Sequence, residues 1–155
     1  MSDSVERVRE ALRLAGHADT VTRFPEGTRT AQDAASAVGC TVAQIVKSIV
    51  LRGGEQVVLV LTSGANRVDI TKISKAVGQP VKAADGRWVR AVTGFAIGGV
   101  APVGHLDPPR VFIDADLMRL DPVWAAAGSP RHVFRTSAAE LARMTGGEIT
   151  DVKED

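Results

Sequence analysis

Ile45-Val46-Lys47-Ser48-Ile49-Val50-Leu51, then Gly53-Gly54, then Val57-Val58-Leu59-Val60-Leu61-Thr62 is the stretch around which the chain is organised. Both apolar runs are rich in β-branched residues and read as buried strands. The glycine pair between them makes a turn, so the two form a central antiparallel hairpin. Lys47 stands in the middle of the first strand, where by period two it shares a face with Ile45, Ile49 and Leu51. A desolvated, unpaired ammonium is costly there. Its stem can pack on the core while the charge reaches water or a carboxylate such as Asp69. Alternatively it projects into a cleft as a compact cation with three donors. The run by itself leaves both readings open.

Outward from the hairpin, helical and extended patterns alternate. Val5, Val8, Leu12 and Ala15 recur at helical spacing, so residues 4–15 read as an amphipathic helix stopped by Gly16. Val21-Thr22-Arg23-Phe24 is a short strand, and Pro25 and Gly27 mark a turn. Thr30 caps a helix through Ala31, Ala34, Ala35 and Val38, whose alanine-rich face calls for close packing. Beyond the hairpin, Asp69 or Thr71 begins a helix from about Ile70 to Val77, and Asp85 through Ala91 forms another. Val111–Asp114, Val123–Ala127 and His132–Arg135 read as strands, Ser137 starts a last helix, and the acidic tail Asp151–Asp155 is expected to fray. The expected fold is α+β: one domain over residues 1–155, with a mixed, mostly antiparallel central sheet and surrounding helices.

A second unusual stretch is Gly94-Phe95-Ala96-Ile97-Gly98-Gly99-Val100-Ala101-Pro102-Val103-Gly104-His105. Its glycines permit close approach to bare main chain, and Pro102 holds the residue before it extended. Successive N–H groups in such a loop can form an anion-binding nest; a tight connection between strands would need the same residues. No Lys-Ser/Thr follows the glycines, and no Gly-x-Gly-x-x-Gly lies between a strand and a helix.

Composition narrows the function. At 155 residues the chain can bury roughly 70% of its unfolded surface. Apolar residues make up 45% and charged residues 24%, as in an ordinary globular protein. No apolar run is long enough to span a bilayer, so no membrane partner is expected, and the polar start places the protein in the cytoplasm. Cys40 is the single cysteine, and His17, His105 and His132 lack metal-ligand spacing, so neither a metal nor a cofactor is expected. A net charge of +1 argues against a sequence-independent nucleic-acid coat, yet leaves room for a brief encounter with an RNA end.

Taken in order, Thr30-Ala31-Gln32-Asp33-Ala34-Ala35, the Lys47 strand, Thr93-Gly94-Phe95 with Gly98-Gly99-Val100-Ala101-Pro102, and Ala127-Gly128-Ser129 resemble the YbaK-like aminoacyl-tRNA deacylase family. That family includes the editing domain inserted in bacterial prolyl-tRNA synthetases and its free-standing relatives. The resemblance spans about residues 20–145, and its most specific elements are the strand lysine and the Gly-x-x-x-Pro loop. It implies a metal-independent hydrolase of mischarged aminoacyl-tRNA, acting on the ester at the terminal adenosine and guarding translation fidelity. By resemblance, Lys47 holds the substrate, and the backbone of Gly98, Gly99, Val100, Ala101 and Pro102 binds the ester carbonyl region. In part of the family the terminal ribose hydroxyl helps to activate water.

Phe24, Asn66, Asp69 and Ser129 are further candidates for substrate contact, each with a plain alternative in core packing, helix capping or turn chemistry. His105 and His132 fall on no family motif and are set aside, and Cys40 reads as a small apolar residue. Because 155 residues leave no room for a synthetase catalytic region, the expected enzyme acts in trans, with an aminoacyl-tRNA synthetase as a further partner. The alternatives are a non-catalytic tRNA-end or synthetase-binding module, or a hydrolase of another small acyl ester. Which amino acid and which tRNA would be edited is not legible.

Overall fold

The computed structural model describes residues 3–24 and 30–155, so the turn expected at Pro25 and Gly27 lies outside the described residues. Its frame is the expected hairpin: β2 (Ile45–Gly53) and β3 (Gln56–Ser63) pair antiparallel from Val46↔Ser63 to Gly53↔Gln56. Gly54, at φ 62°, makes the tight turn.

β1 (Val21–Arg23), β6 (Val123–Ala126) and β7 (His132–Thr136) extend the sheet on the β2 side. On the other side lie β5 (Arg110–Asp114) and β8 (Glu148–Thr150), giving the order β1-β7-β6-β2-β3-β5-β8. A two-residue strand, β4 (Lys82–Ala83), pairs with the far end of β2. The β2–β6, β3–β5 and β5–β8 pairs are parallel and the others antiparallel, which is the mixed sheet expected.

Five α-helices lie among the described residues where helices were expected: α1 (Asp3–Leu14), α2 (Ala31–Val38), α3 (Ile70–Val77), α4 (Gly86–Thr93) and α5 (Ala138–Thr145). α1 starts and ends one residue earlier than the expected 4–15, and α4 runs on past Ala91 to Thr93. Thr30, Asp69, Asp85 and Ser137 each accept a first-turn N–H, and Gly39, Gly78, Gly94 and Gly146 close the same four helices in the left-handed conformation. β3 is buried throughout its apolar run because both faces of the sheet are covered. Leu59 and Leu61 pack with Val8 and Leu12 of α1 and Leu141 of α5, whereas Val58 and Val60 pack with Ile73 of α3 and Val152. A third cluster joins Ala34 and Ala35 of α2 to Ile45.

The acidic tail does not fray. Val152 is fully buried, its C=O accepts from Asp69 N–H at 2.8 Å, and Glu154 N–H donates to Arg67 C=O at 2.8 Å. Lys72 Nζ reaches Asp151 at 2.8 Å and Asp155 at 3.2 Å. Charge suggested a solvated end, but one buried valine and Lys72 of α3 dock it. β4 and β8 are strands that the sequence did not announce: Lys82-Ala83 and Glu148-Ile149-Thr150 lack a clear strand pattern and take their form from β2 and β5.

Candidate active site

Strand divergence opens the site. β6 leaves β2 after Val46↔Ala125, and β4 joins the same edge of β2 only at Leu51↔Ala83. Among the described residues, 47–50 therefore border no strand there. In an antiparallel pair, alternate residues turn their main-chain groups outward. Val50, whose C=O accepts from Ala84 N–H, is one of the outward set, and Ser48, two residues earlier, is another. Ser48 thus presents main-chain N–H and C=O to the gap, and its buried Oγ has no hydrogen-bond partner among the described residues.

A cavity of ≈340 Å³ fills this gap. Ala31 and Ala34 of α2 line one side, where a larger residue would occupy the space; Trp124 and Ala126 of β6 line another. Gly98 and Val100 come from the glycine loop, Ser129, Pro130 and His132 from the β6–β7 connection, and Lys47 and Ser48 from β2.

Lys47 is half-buried, and its Nζ donates to the main-chain carbonyl of Asn66 at 2.7 Å. Desolvation first, and then the nearby Arg67 charge, pull its pKa below the ordinary lysine value, while Asp114 acts in the opposite sense. Asp114, 1% exposed, organises this end of the sheet. It accepts from Thr62 Oγ1 and Ser63 N–H at 3.0 Å each and from Asn66 Nδ2 at 2.8 Å, so the turn that holds Lys47 is tied to a buried carboxylate. The sequence offered Asp69 for this task; Asp69 instead accepts from Thr71 and Lys72 N–H as the cap of α3 and lines no part of the cavity. A carboxylate ending the apolar run Val111–Asp114 was the signal that pointed to the right residue.

The glycine loop is held from behind. Arg7 of α1 donates through Nε to Gly104 C=O at 2.7 Å and through a terminal nitrogen to Gly94 C=O at 2.8 Å, with its guanidinium 4.7 Å from the Phe95 ring centroid. One planar fork thus ties both ends of the loop. His105 Nε2 lies 2.6 Å from Ala101 C=O; a carbonyl only accepts, so that nitrogen carries the proton. His105 Nδ1 is buried without a hydrogen-bond partner among the described residues, and burial lowers the His105 pKa and favours the neutral ring. Ser4, one turn before Arg7, donates to Gly128 C=O at 2.6 Å, so α1 holds both loops of the cavity.

Within the Gly-x-x-x-Pro loop the residues divide. Gly98 and Val100 line the cavity, and their N–H groups donate to nothing among the described residues. Gly99 N–H donates to Ala96 C=O at 2.9 Å and is engaged in the turn. A Cβ on Gly99 would lie 2.8 Å from Ser129 Cα, so its bare main chain is needed by the neighbouring loop. Ala101 is fully buried, and Pro102 faces a different recess behind the loop. Phe24 is 4% exposed and is absent from the lining, as a core phenylalanine would be.

His132, set aside on sequence, lines the cavity, and its Nδ1 lies 2.6 Å from Ser129 Oγ. Ser129 Oγ also accepts from Arg131 N–H at 3.0 Å, so the hydroxyl is held between the turn and the imidazole. Desolvation, followed by the charges of Arg23 and Arg9, lowers the His132 pKa and favours the neutral ring. Ser-x-x-His in a Gly-Ser-Pro turn was the available signal. Among the described residues no group of three or more His, Cys, Asp or Glu side chains is disposed to hold a metal ion, and no helix is long and apolar enough to cross a membrane.

Residues 25–144 match the family model of the aminoacyl-tRNA editing domain. The chain belongs to that family. A solved structure described as a candidate trans-editing enzyme for prolyl-tRNA synthetase is 46% identical, superposes with a TM-score of 0.95, and is matched over 100% of this chain and 99% of that one. A second solved structure, of a hypothetical protein, is 28% identical with a TM-score of 0.89, over 96% of this chain and 99% of its own. The uncharacterized protein YwhH of Bacillus subtilis (strain 168) is 30% identical over 154 residues, 98% of each chain. The editing-domain match begins at residue 25, so α1, whose Ser4 and Arg7 hold both cavity loops, lies outside it.

Proposed function

We propose that this editing domain is a trans-acting aminoacyl-tRNA deacylase, which hydrolyses the ester between a small amino acid and the terminal adenosine of a mischarged tRNA. The observation that carries the reading is the meeting, in the lining of one cavity, of Lys47 with Gly98 and Val100, whose N–H groups donate to nothing among the described residues. Water adds to the ester carbonyl carbon, and the carbonyl oxygen becomes an oxyanion received by these N–H groups. Such donors contribute about 10²–10³ in rate each. The intermediate then collapses, the C–O bond to the ribose breaks, the ribose oxygen takes a proton, and the amino acid leaves as its carboxylate.

In this reading Lys47 anchors the nucleotide end, and the terminal ribose hydroxyl helps to activate the attacking water, as the resemblance to part of the family suggests. The alanines of α2, Trp124 and the Ser129–His132 pair surround the amino-acid side chain. A cavity of ≈340 Å³, shared with part of the nucleoside, suits a small side chain. The chemistry draws on water, substrate and main-chain donors, without metal or cofactor, and fits a cytoplasmic protein that meets charged tRNA and in some settings a synthetase. The description of the 46%-identical neighbour as a candidate trans-editing enzyme supports the same reading.

A panel of charged tRNAs and free aminoacyl esters tests it. Hydrolysis of one or a few aminoacyl-tRNAs, with slower turnover of the free esters, is the expected result. Equal turnover of simple esters would favour a general acyl-ester hydrolase, and binding of tRNA ends without hydrolysis would favour a recognition module.

A further inference from the structure

A second recess, also ≈340 Å³, lies beside the first and shares Lys47 and Ile49 with it. Ile49, Leu51, Val68 and Ile70 form an aliphatic wall; Lys47 and Arg67 supply cations and Glu154 a carboxylate. Arg67 is exposed and has no side-chain hydrogen bond or ion pair among the described residues. The neighbouring lysines differ: Lys72 is bound to Asp151 and Asp155, and Lys153 to Asp116. Lys47 itself is hydrogen-bonded to a carbonyl and not to a carboxylate, and Arg67 is near enough to disfavour its charge. Neither cation forms an ion pair among the described residues, and two like charges facing one opening repel each other, so an anion placed between them relieves that repulsion.

Resting on the reading of the first cavity as the aminoacyl-adenosine site, we propose that this recess takes the penultimate nucleotide of the RNA. The phosphodiester that joins it to the terminal adenosine then sits between Arg67 and Lys47. Continuity decides the occupant: a chain entering the first cavity past Lys47 continues into the second, and in RNA the group at that junction is a phosphate. The wall carries no aromatic ring on which a base could stack, so the recess contributes charge and contact area but little base identity. Glu154 opposes the phosphate, which gives the proposal an effect of opposite sign to test.

The test uses the full chain and an uncharged RNA minihelix with a single-stranded 3′ end, made with either a natural or an uncharged methylphosphonate linkage before the terminal adenosine. Arg67→Ala is expected to weaken binding of the natural minihelix by ~10-fold, the loss of one charge-assisted contact. Its salt dependence should flatten by ~0.7 in log–log slope. The methylphosphonate minihelix should bind wild type and Arg67→Ala nearly alike, and Glu154→Gln should bind the natural minihelix a few-fold more tightly. In deacylation, KM for the aminoacyl-minihelix should rise by a factor at least several times larger than that for aminoacyl-adenosine, which has no phosphate. Unaltered minihelix binding by Arg67→Ala, or an equal loss for both linkages, overturns the proposal. Absence of hydrolysis in wild type would instead remove the deacylase reading, and the binding comparison would still decide whether the recess holds the phosphate.

Discussion

Substituting Gly99 with alanine adds one methyl group at the point where the two loops of the cavity touch. An ideal Cβ there lies 2.8 Å from Ser129 Cα, 3.0 Å from its N and 3.1 Å from its carbonyl carbon. The obstacle is main chain, so no side-chain rotation relieves it, and the half-buried Ser129 loop must withdraw by about 0.6 Å to reach ordinary contact. Overpacking of this kind costs about 1–3 kcal/mol of stability. Ser4 anchors Gly128 on the far side, which concentrates the movement on Ser129 and His132. In the proposed reaction, a shift approaching 1 Å between these side chains and the donors of Gly98 and Val100 lowers the single-turnover rate by up to about 10²-fold. Gly98→Ala is the contrasting variant: its Cβ meets nothing nearer than Pro130 Cγ at 3.7 Å, and its φ of 94° adds about 1–2 kcal/mol of backbone strain. Urea melts together with single-turnover deacylation per folded molecule read both quantities. A Gly99→Ala protein of wild-type stability, or one destabilised yet fully active, would refute the argument that this contact sets the geometry of the site.

Four further predictions concern Lys47, Arg7 and Cys40. Lys47→Ala should remove most deacylation while circular dichroism stays native, and Lys47→Arg should not restore it, because a planar guanidinium cannot occupy the place of a compact ammonium. The folded pKa of Lys47 is lowered, so its proton is lost before that of an ordinary lysine; enzyme-dependent hydrolysis, corrected for the alkaline background, should decline on the alkaline side below pH 10.5, and a rate flat beyond that pH would count against a required ammonium. Arg7→Lys should lower kcat more than it raises KM, since one ammonium cannot span the carbonyls of Gly94 and Gly104; a variant that melts earlier but turns over normally would make Arg7 a stabilising residue only. Cys40→Ser and EDTA treatment should each leave activity within a few fold of wild type: burial raises the pKa of the Cys40 thiol, its Sγ faces Thr41 C=O, and it lies outside the cavity lining. A metal-reversible loss, or inactivation through Cys40 with folding intact, would show otherwise.

The sequence by itself determined the local elements, because their causes are local. The Ile45–Leu51 and Val57–Thr62 runs joined through Gly54 could only become a hairpin, and Thr30, Asp69, Asp85 and Ser137 cap helices using their own neighbours. It also placed Lys47 and the glycine loop in order along the chain, enough to bring the editing-domain family into view. What only the tertiary structure decided rests on long-range contact. β8 and the docked tail exist because β5 and Lys72 receive them. Asp114 and not Asp69 underlies Lys47 because the end of β5 crosses beneath the Asn66 turn, 48 residues away in sequence. Within the loop, Gly98 and Val100 reach the cavity while Gly99 gives way to Ser129; no spacing rule separates adjacent residues in this way, because the division is made by a second loop that Ser4 and Arg7 hold against the first.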